Sequence, residues 1–206
     1  MKHACLALLL LALWAFPVAA NDLPAFHNVS GVAEDDVLNI RAAPGTAASI
    51  IGTLSATDRF IEVVEKDDSG DWARINTAER SGWVAMRYLA RRANQPADTL
   101  PRPLSCAGTE PFWSLSLKRD PSAELRNLGE EPRLFTNLYS VNSSNRQDRY
   151  AIFGQEKDDD GVLTAVFHRA ICTDGMSDRA YGISLDVFLT DETGVQFLSG
   201  CCSLSR

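Results

Sequence analysis

The sequence predicts an all-β chain: a small closed barrel followed by a disulfide-linked antiparallel β-barrel or meander. Three observations carry this. Short runs of alternating apolar and polar residues recur from Val37 to the C-terminus, turn-forming residues interrupt them at hairpin spacing, and four cysteines are confined to the second half.

The first twenty residues stand apart. Met1-Lys2-His3 is a short positive lead, Leu6 to Trp14 is an apolar run too short to span a membrane, and Val18-Ala19-Ala20 offers the small residues a signal peptidase reads. Residues 1–20 are therefore expected to be a secretory signal peptide cut after Ala20. An uncleaved anchor is the alternative, against which Pro17 and the small-residue site argue. Cys5 lies at the start of the apolar run, out of place for lipid attachment. Removing Lys2 leaves 19 basic against 27 acidic residues and moves the formal charge from −7 to −8. So acidic a chain is ill-suited to nucleic acid or an anionic membrane. No membrane span is expected after cleavage.

Residues 21–30 read as a flexible lead-in and 31–92 as the first domain. Leu38 and Ile40 alternate with polar neighbours as a half-buried strand requires, and Ala43-Pro44-Gly45-Thr46 supplies a turn. A second short strand covers 49–54. Residues 59–65 are rich in β-branched and aromatic types, 66–71 form a polar turn centred on Ser69-Gly70, and 72–75 resume the strand pattern. Five short strands in about sixty residues hold too little core for anything except a tightly closed barrel.

Within this stretch VLNIRAAPGTAASIIGTL (37–54), GDWARI (70–75) and SGWVAMRYL (81–89) resemble the bacterial SH3 (SH3b) family. In that family an LNVR-GPS-like opening, a G-D-W segment and a G-W-V…YL closing strand recur in this order. The resemblance implies an SH3-like barrel acting as a binding module. It does not name the ligand, because one fold hosts many functions. Aromatic side chains give such barrels most of their contact area, which makes Trp72, Trp83 and Tyr88 candidate ligand contacts, with Asn39 and Arg41 adding polar contacts from the first strand. Trp72 and Trp83 also suit a purely structural role in the core, leaving Tyr88 the better surface residue.

Residues 93–104, with Asn94, Gln95, Pro96, Pro101 and Pro103, read as an extended linker. The second domain, 105–206, is again β-rich. Trp113, Leu115 and Leu117 alternate with polar residues, 162–170 and 181–190 continue the habit, and 194–202 makes a final strand. Turns at Asp120-Pro121, Asn142-Ser143-Ser144, Asp160-Gly161 and Glu192-Thr193-Gly194 break it into hairpins.

Cys106, Cys172, Cys201 and Cys202 form an even set in an exported chain. Neighbouring strand residues face opposite ways, so Cys201 and Cys202 need different partners. The expected pairs are Cys172–Cys201 and Cys106–Cys202, with swapped partners as the alternative. His168 stands four residues before Cys172, but the paired spacing of a zinc site is missing, so neither metal nor cofactor is expected.

The strings CAGTEPFWSLSL (106–117), CTDGMSDRAYG (172–182) and GCC (200–202) resemble an uncharacterised family of bacterial envelope β-domains carrying GTEPFW, CxDGMSD and GC motifs. Gly182 stands where a proline is common there. These motifs single out Glu110, Trp113, Asp174 and Asp178. Two carboxylates brought within about 5 to 10 Å would make an acid–base pair; the competing reading is that Thr109-Glu110-Pro111 opens a strand and Asp174-Gly175 and Ser177-Asp178 hold a turn. No nucleophile elbow is present and no catalytic residue is assigned. The sequence thus points to a non-catalytic envelope protein whose SH3b-like module recognises a peptide, peptidoglycan or a protein partner. The alternative is an envelope hydrolase or hydrolase inhibitor centred on the second domain.

Overall fold

A computed structural model describes residues 22–206, so the expected signal peptide and its cleavage point lie outside the described residues. The described chain is all-β. Its strands are β1 (Ala25–Val29), β2 (Val37–Arg41), β3 (Ile50–Ser55), β4 (Ile61–Val63), β5 (Glu65–Lys66), β6 (Trp72–Thr77), β7 (Arg80–Ala85) and, after a single 3-10 turn (Met86–Tyr88), β8 (Leu89–Arg91). The second half adds β9 (Leu104–Gly108), β10 (Trp113–Leu117), β11 (Ala123–Asn127), β12 (Arg133–Asn142), β13 (Arg149–Glu156), β14 (Val162–His168), β15 (Ile183–Asp191) and β16 (Gly194–Leu204).

The expected small SH3-like barrel is built from two sheets, β4-β1-β8 and β3-β2-β7-β6-β5, packed on one core. Both sheets turn alternate residues to one core: Leu38, Ile40, Ala73, Ile75 and Val84 from the larger, Ala25, Val29, Val63 and Leu89 from the smaller. Strands β2 and β7 approach closely where Gly82 faces Ile40; a Cβ there would lie 2.6 Å from Ile40 Cγ2. The segment expected as a flexible lead-in instead supplies β1, the middle strand of the smaller sheet. His27 is accordingly only 2% exposed. Burial lowers its pKa, and its Nδ1 lies 3.0 Å from the Ala25 carbonyl oxygen.

The expected linker is tied down as well. Gln95 accepts from the Phe26 N–H and donates to the Phe26 carbonyl, imitating a strand partner at the edge of β1. Farther along, the carbonyls of Ala97, Asp98 and Thr99 accept from Tyr150, Asn142 and Arg169 of the second half. Strand β9 then begins at Leu104.

Strands β9 to β16 form a closed antiparallel barrel in which each strand pairs with the next and β16 closes onto β9. Its interior is packed with Leu115, Leu125, Phe135, Ile152, Phe167, Leu185 and their neighbours. Cys202 lies directly opposite Cys106 across the β16–β9 seam and is bonded to it; Cys201, facing the other way, is bonded to Cys172 in the loop between β14 and β15. These are the two pairs named above. On the outer wall Tyr139, Phe153, Thr164, Phe188 and Phe197 occupy one cross-strand row over five consecutive strands, and its four aromatic residues are exposed.

Candidate functional site

The residues that shape the SH3-like surface come from short, locally fixed turns. Asp67 accepts hydrogen bonds from the Ser69 hydroxyl and the Trp72 N–H, and Gly70 takes the left-handed φ of +76° that the turn needs. The Ser69 hydroxyl and the Trp72 N–H hold the Asp67 carboxyl below its usual pKa. This turn delivers Trp72 to the start of β6. The Asp71 carbonyl then accepts from Met86 N–H, and the Tyr88 carbonyl accepts from Ser30 N–H, so the 3-10 turn carrying Tyr88 is pinned from two sides.

Between these turns and β2 lies an open groove of about 460 Å³, lined by Asn39, Arg41, Trp72 and Tyr88 together with Asp36 and Arg87. Four of the five residues selected from sequence therefore share one concavity. Arg87 stacks over the Tyr88 ring with its guanidinium carbon 4.7 Å from the centroid, and Arg41 donates to the Ala48 carbonyl at 2.7 Å. Both cations are thereby oriented beside an aromatic wall, an arrangement suited to an extended ligand carrying carboxylate and apolar groups.

Trp83 does not line this groove. It lies on the same outer face one step across the sheet, in a cross-strand row Arg41, Trp83, Arg74, Glu65. Arg74 sits 6.0 Å from the Trp83 ring centroid and pairs with Glu65 at 3.2 Å. Trp83 is half-buried under these charges, so it packs the sheet's outer face rather than the groove wall.

The second-half motif residues occupy different settings, with Thr109, the neighbour of Glu110, donating to the Asp174 carbonyl at 3.2 Å. Trp113 is a core residue, 4% exposed. The absence of side chains at Gly108 and Gly200 makes room for its indole: a Cβ at Gly108 would fall 2.2 Å from Trp113 Nε1. Glu110 is exposed in a left-handed turn at φ +57°. Asp174 lines a shallow recess of about 230 Å³ that includes neither Glu110 nor Asp178. Burial pushes the Asp174 pKa up, but the N–H groups of Ser177 and Met176 and the hydroxyls of Ser177 and Tyr181 outweigh it and hold the value at about 2. A carboxylate caged in this way stabilises its loop as an anion.

That loop docks on the SH3-like half. The Asp178 backbone accepts from Ser81 N–H and donates to the Glu79 carbonyl, while the Asn76 side chain donates to the Ala180 carbonyl and accepts from its N–H. Asp178 thus contributes its backbone to the junction, with its side chain exposed. Sequence reading found the turn and missed its partner, the β6–β7 hairpin, because the two lie about a hundred residues apart. His168 bonds to Asp148 at 3.0 Å, and Cys172 is oxidised. Among the described residues no group of three or more His, Cys, Asp or Glu is placed to hold a metal ion, and no helix is long and apolar enough to cross a membrane.

No curated protein and no solved structure matches this chain. Residues 36–90, which contain all four groove residues of the sequence reading but not strand β1, match the family model of the bacterial SH3 domain.

Proposed function

We propose that this is an exported, non-catalytic envelope protein whose SH3-like groove binds a peptide-like partner, either the stem peptide of peptidoglycan or a segment of an envelope protein. The observation that carries the reading is the convergence of Asn39, Arg41, Trp72 and Tyr88 on one groove inside the bacterial SH3 segment. Trp72 and Tyr88 offer flat apolar surface at low entropic cost, and Arg41 and Arg87 offer donors for carboxylates. The two disulfides support export, since such bonds persist in oxidising compartments. The Asp174 carboxylate, whose hydrogen bonds go to Ser177, Met176 and Tyr181 of its own loop, supports a scaffold role for the second half.

The test is a titration of the purified protein with a muropeptide stem peptide and with envelope extract, beside Tyr88→Ala and Arg41→Ala. Each variant is expected to weaken capture at least about tenfold while staying folded. Binding equal to wild type in both variants would move the site elsewhere.

A further inference from the structure

The acidic balance of the chain hides a strongly basic cleft. Where the linker passes between the two halves, a cavity of about 400 Å³ is lined by Arg91, Arg92, Arg102, Arg119, Arg169 and Arg206, with Asp22 its one acidic residue among those described. Six guanidiniums around one cavity repel one another, and the fold places them there at a cost unless an anion joins them.

Their existing partners leave the charge largely uncompensated. Arg91 pairs with Asp22 at 3.0 Å. Arg169 is 4% exposed, and its three hydrogen bonds go to neutral oxygens: the Leu23 and Thr99 carbonyls and the Tyr150 hydroxyl. Arg102 donates to the Asp120 carbonyl and the Ser140 hydroxyl, and of its surroundings only the nearby Asp120 carboxylate opposes the burial that lowers its pKa. A buried guanidinium solvated only by neutral acceptors retains its full positive field. Arg119 is exposed at the rim.

The cavity also has an apolar floor. Phe60, Leu100 and Leu204 line it, with the guanidinium carbons of Arg92 and Arg206 lying 3.8 and 5.0 Å from the Phe60 ring centroid. Phe60 sits at φ +61°, a left-handed conformation costly for a bulky residue, and its N–H is held by Asn28. Strain of this kind persists where the surrounding structure fixes a side chain in place. Here it fixes an aromatic ring between cations.

We propose that this cleft is a ligand site distinct from the SH3-like groove, for a small molecule presenting an oxyanion, carboxylate or phosphate, beside an apolar group. Guanidiniums suit either oxyanion because their paired N–H donors match its geometry. The volume is that of a small-molecule pocket.

The test follows backbone amide shifts of the purified protein on adding N-acetyl-leucine, N-acetyl-leucinamide or inorganic phosphate. Saturable shifts at Phe60, Leu100 and Leu204 with N-acetyl-leucine, at least about tenfold weaker with the amide, support the proposal and assign an organic carboxylate. The same shifts with phosphate alone support it and assign a phosphate. The double variant Arg119→Gln, Arg206→Gln alters exposed side chains, should keep a folded spectrum, and should weaken binding about tenfold or more. Three results overturn the proposal: no saturable shift at millimolar probe, equal affinity in the double variant, or shifts confined to Arg41, Trp72 and Tyr88. The last would leave the groove reading standing alone.

Discussion

In the second half every strand of the barrel is paired along both edges, and the β16–β9 seam is bolted by Cys106–Cys202. In the SH3-like half the edge strands β3, β5, β4 and β8 each have a single neighbour within their sheets, and no cysteine occurs there. Among the described residues its clustered core is also smaller, ten residues against twenty in the barrel. Closure removes the open edges that a sheet otherwise presents. The barrel is therefore built to be stable by itself, and the SH3-like half to leave a groove and a flank open while leaning on its neighbour.

Removing the bolt tests this contrast most severely. Cys106→Ser with Cys202→Ser opens a loop of 96 residues and should destabilise the barrel by about 4 to 5 kcal/mol, whereas Cys172→Ser with Cys201→Ser, closing 29, should cost about 3 to 4. Hydrogen exchange resolved by residue is the measurement. Protection should fall across β9 to β16 and far less in β2, β6 and β7. Equal losses in both halves would mean that they unfold as one unit.

A smaller effect is expected at the junction. Asn76→Ala deletes the side-chain amide that both donates to and accepts from Ala180. The SH3-like half should lose about 1 to 3 kcal/mol and the barrel little, because only the former depends on the contact. Calorimetry of the variant should show the two transitions further apart. A single unshifted transition would place the coupling elsewhere.

Much of this arrangement was legible from local pattern. Leu38 and Ile40 announce β2 by alternation, Ser69-Gly70 announces the turn before Trp72, and the opposite facing of Cys201 and Cys202 determines that they take different partners. Asn39 and Arg41 fall on the polar face of β2 for the same reason, and so reach the groove with Trp72 and Tyr88. What was not legible depends on residues far apart in the chain. AFHNV at 25–29 is a strand because Val63 and Leu89 flank it, and its own sequence reads as a lead-in. Trp83 lies outside the groove, one step across the sheet, where Arg74 of the neighbouring strand sits against its ring. The arginines of the interdomain cleft lie between positions 91 and 206, and nothing in any one segment reveals that they meet.

The mildest perturbation examines the same junction through pH. Glu62 of β4 accepts from the Leu204 N–H of β16, across the two halves. Burial pushes its pKa up to about 7, against an ordinary value of 4.5, although the Leu204 N–H, the nearby Arg179 and Ser203 pull it down. Arg206 lines the same recess. A raised pKa means that the folded protein holds this proton more tightly than the unfolded chain. The stability it contributes is full below about 4.5 and is lost as pH rises through about 7. His27 works in the opposite direction: burial lowers its pKa below 6.5, so its contribution is present above that value and is lost as pH falls. Wild-type stability should therefore vary little across the range where the two compensate. Glu62→Gln keeps a carbonyl oxygen for Leu204 and removes the titration. In that variant only the His27 limb should remain over this range, with stability rising as pH climbs toward 6.5 and exceeding wild type near pH 8 by on the order of 1 to 3 kcal/mol. Urea midpoints at a series of pH values measure this. Superimposable profiles for wild type and Glu62→Gln would show that the carboxyl is hydrated, and that the two halves do not close over it.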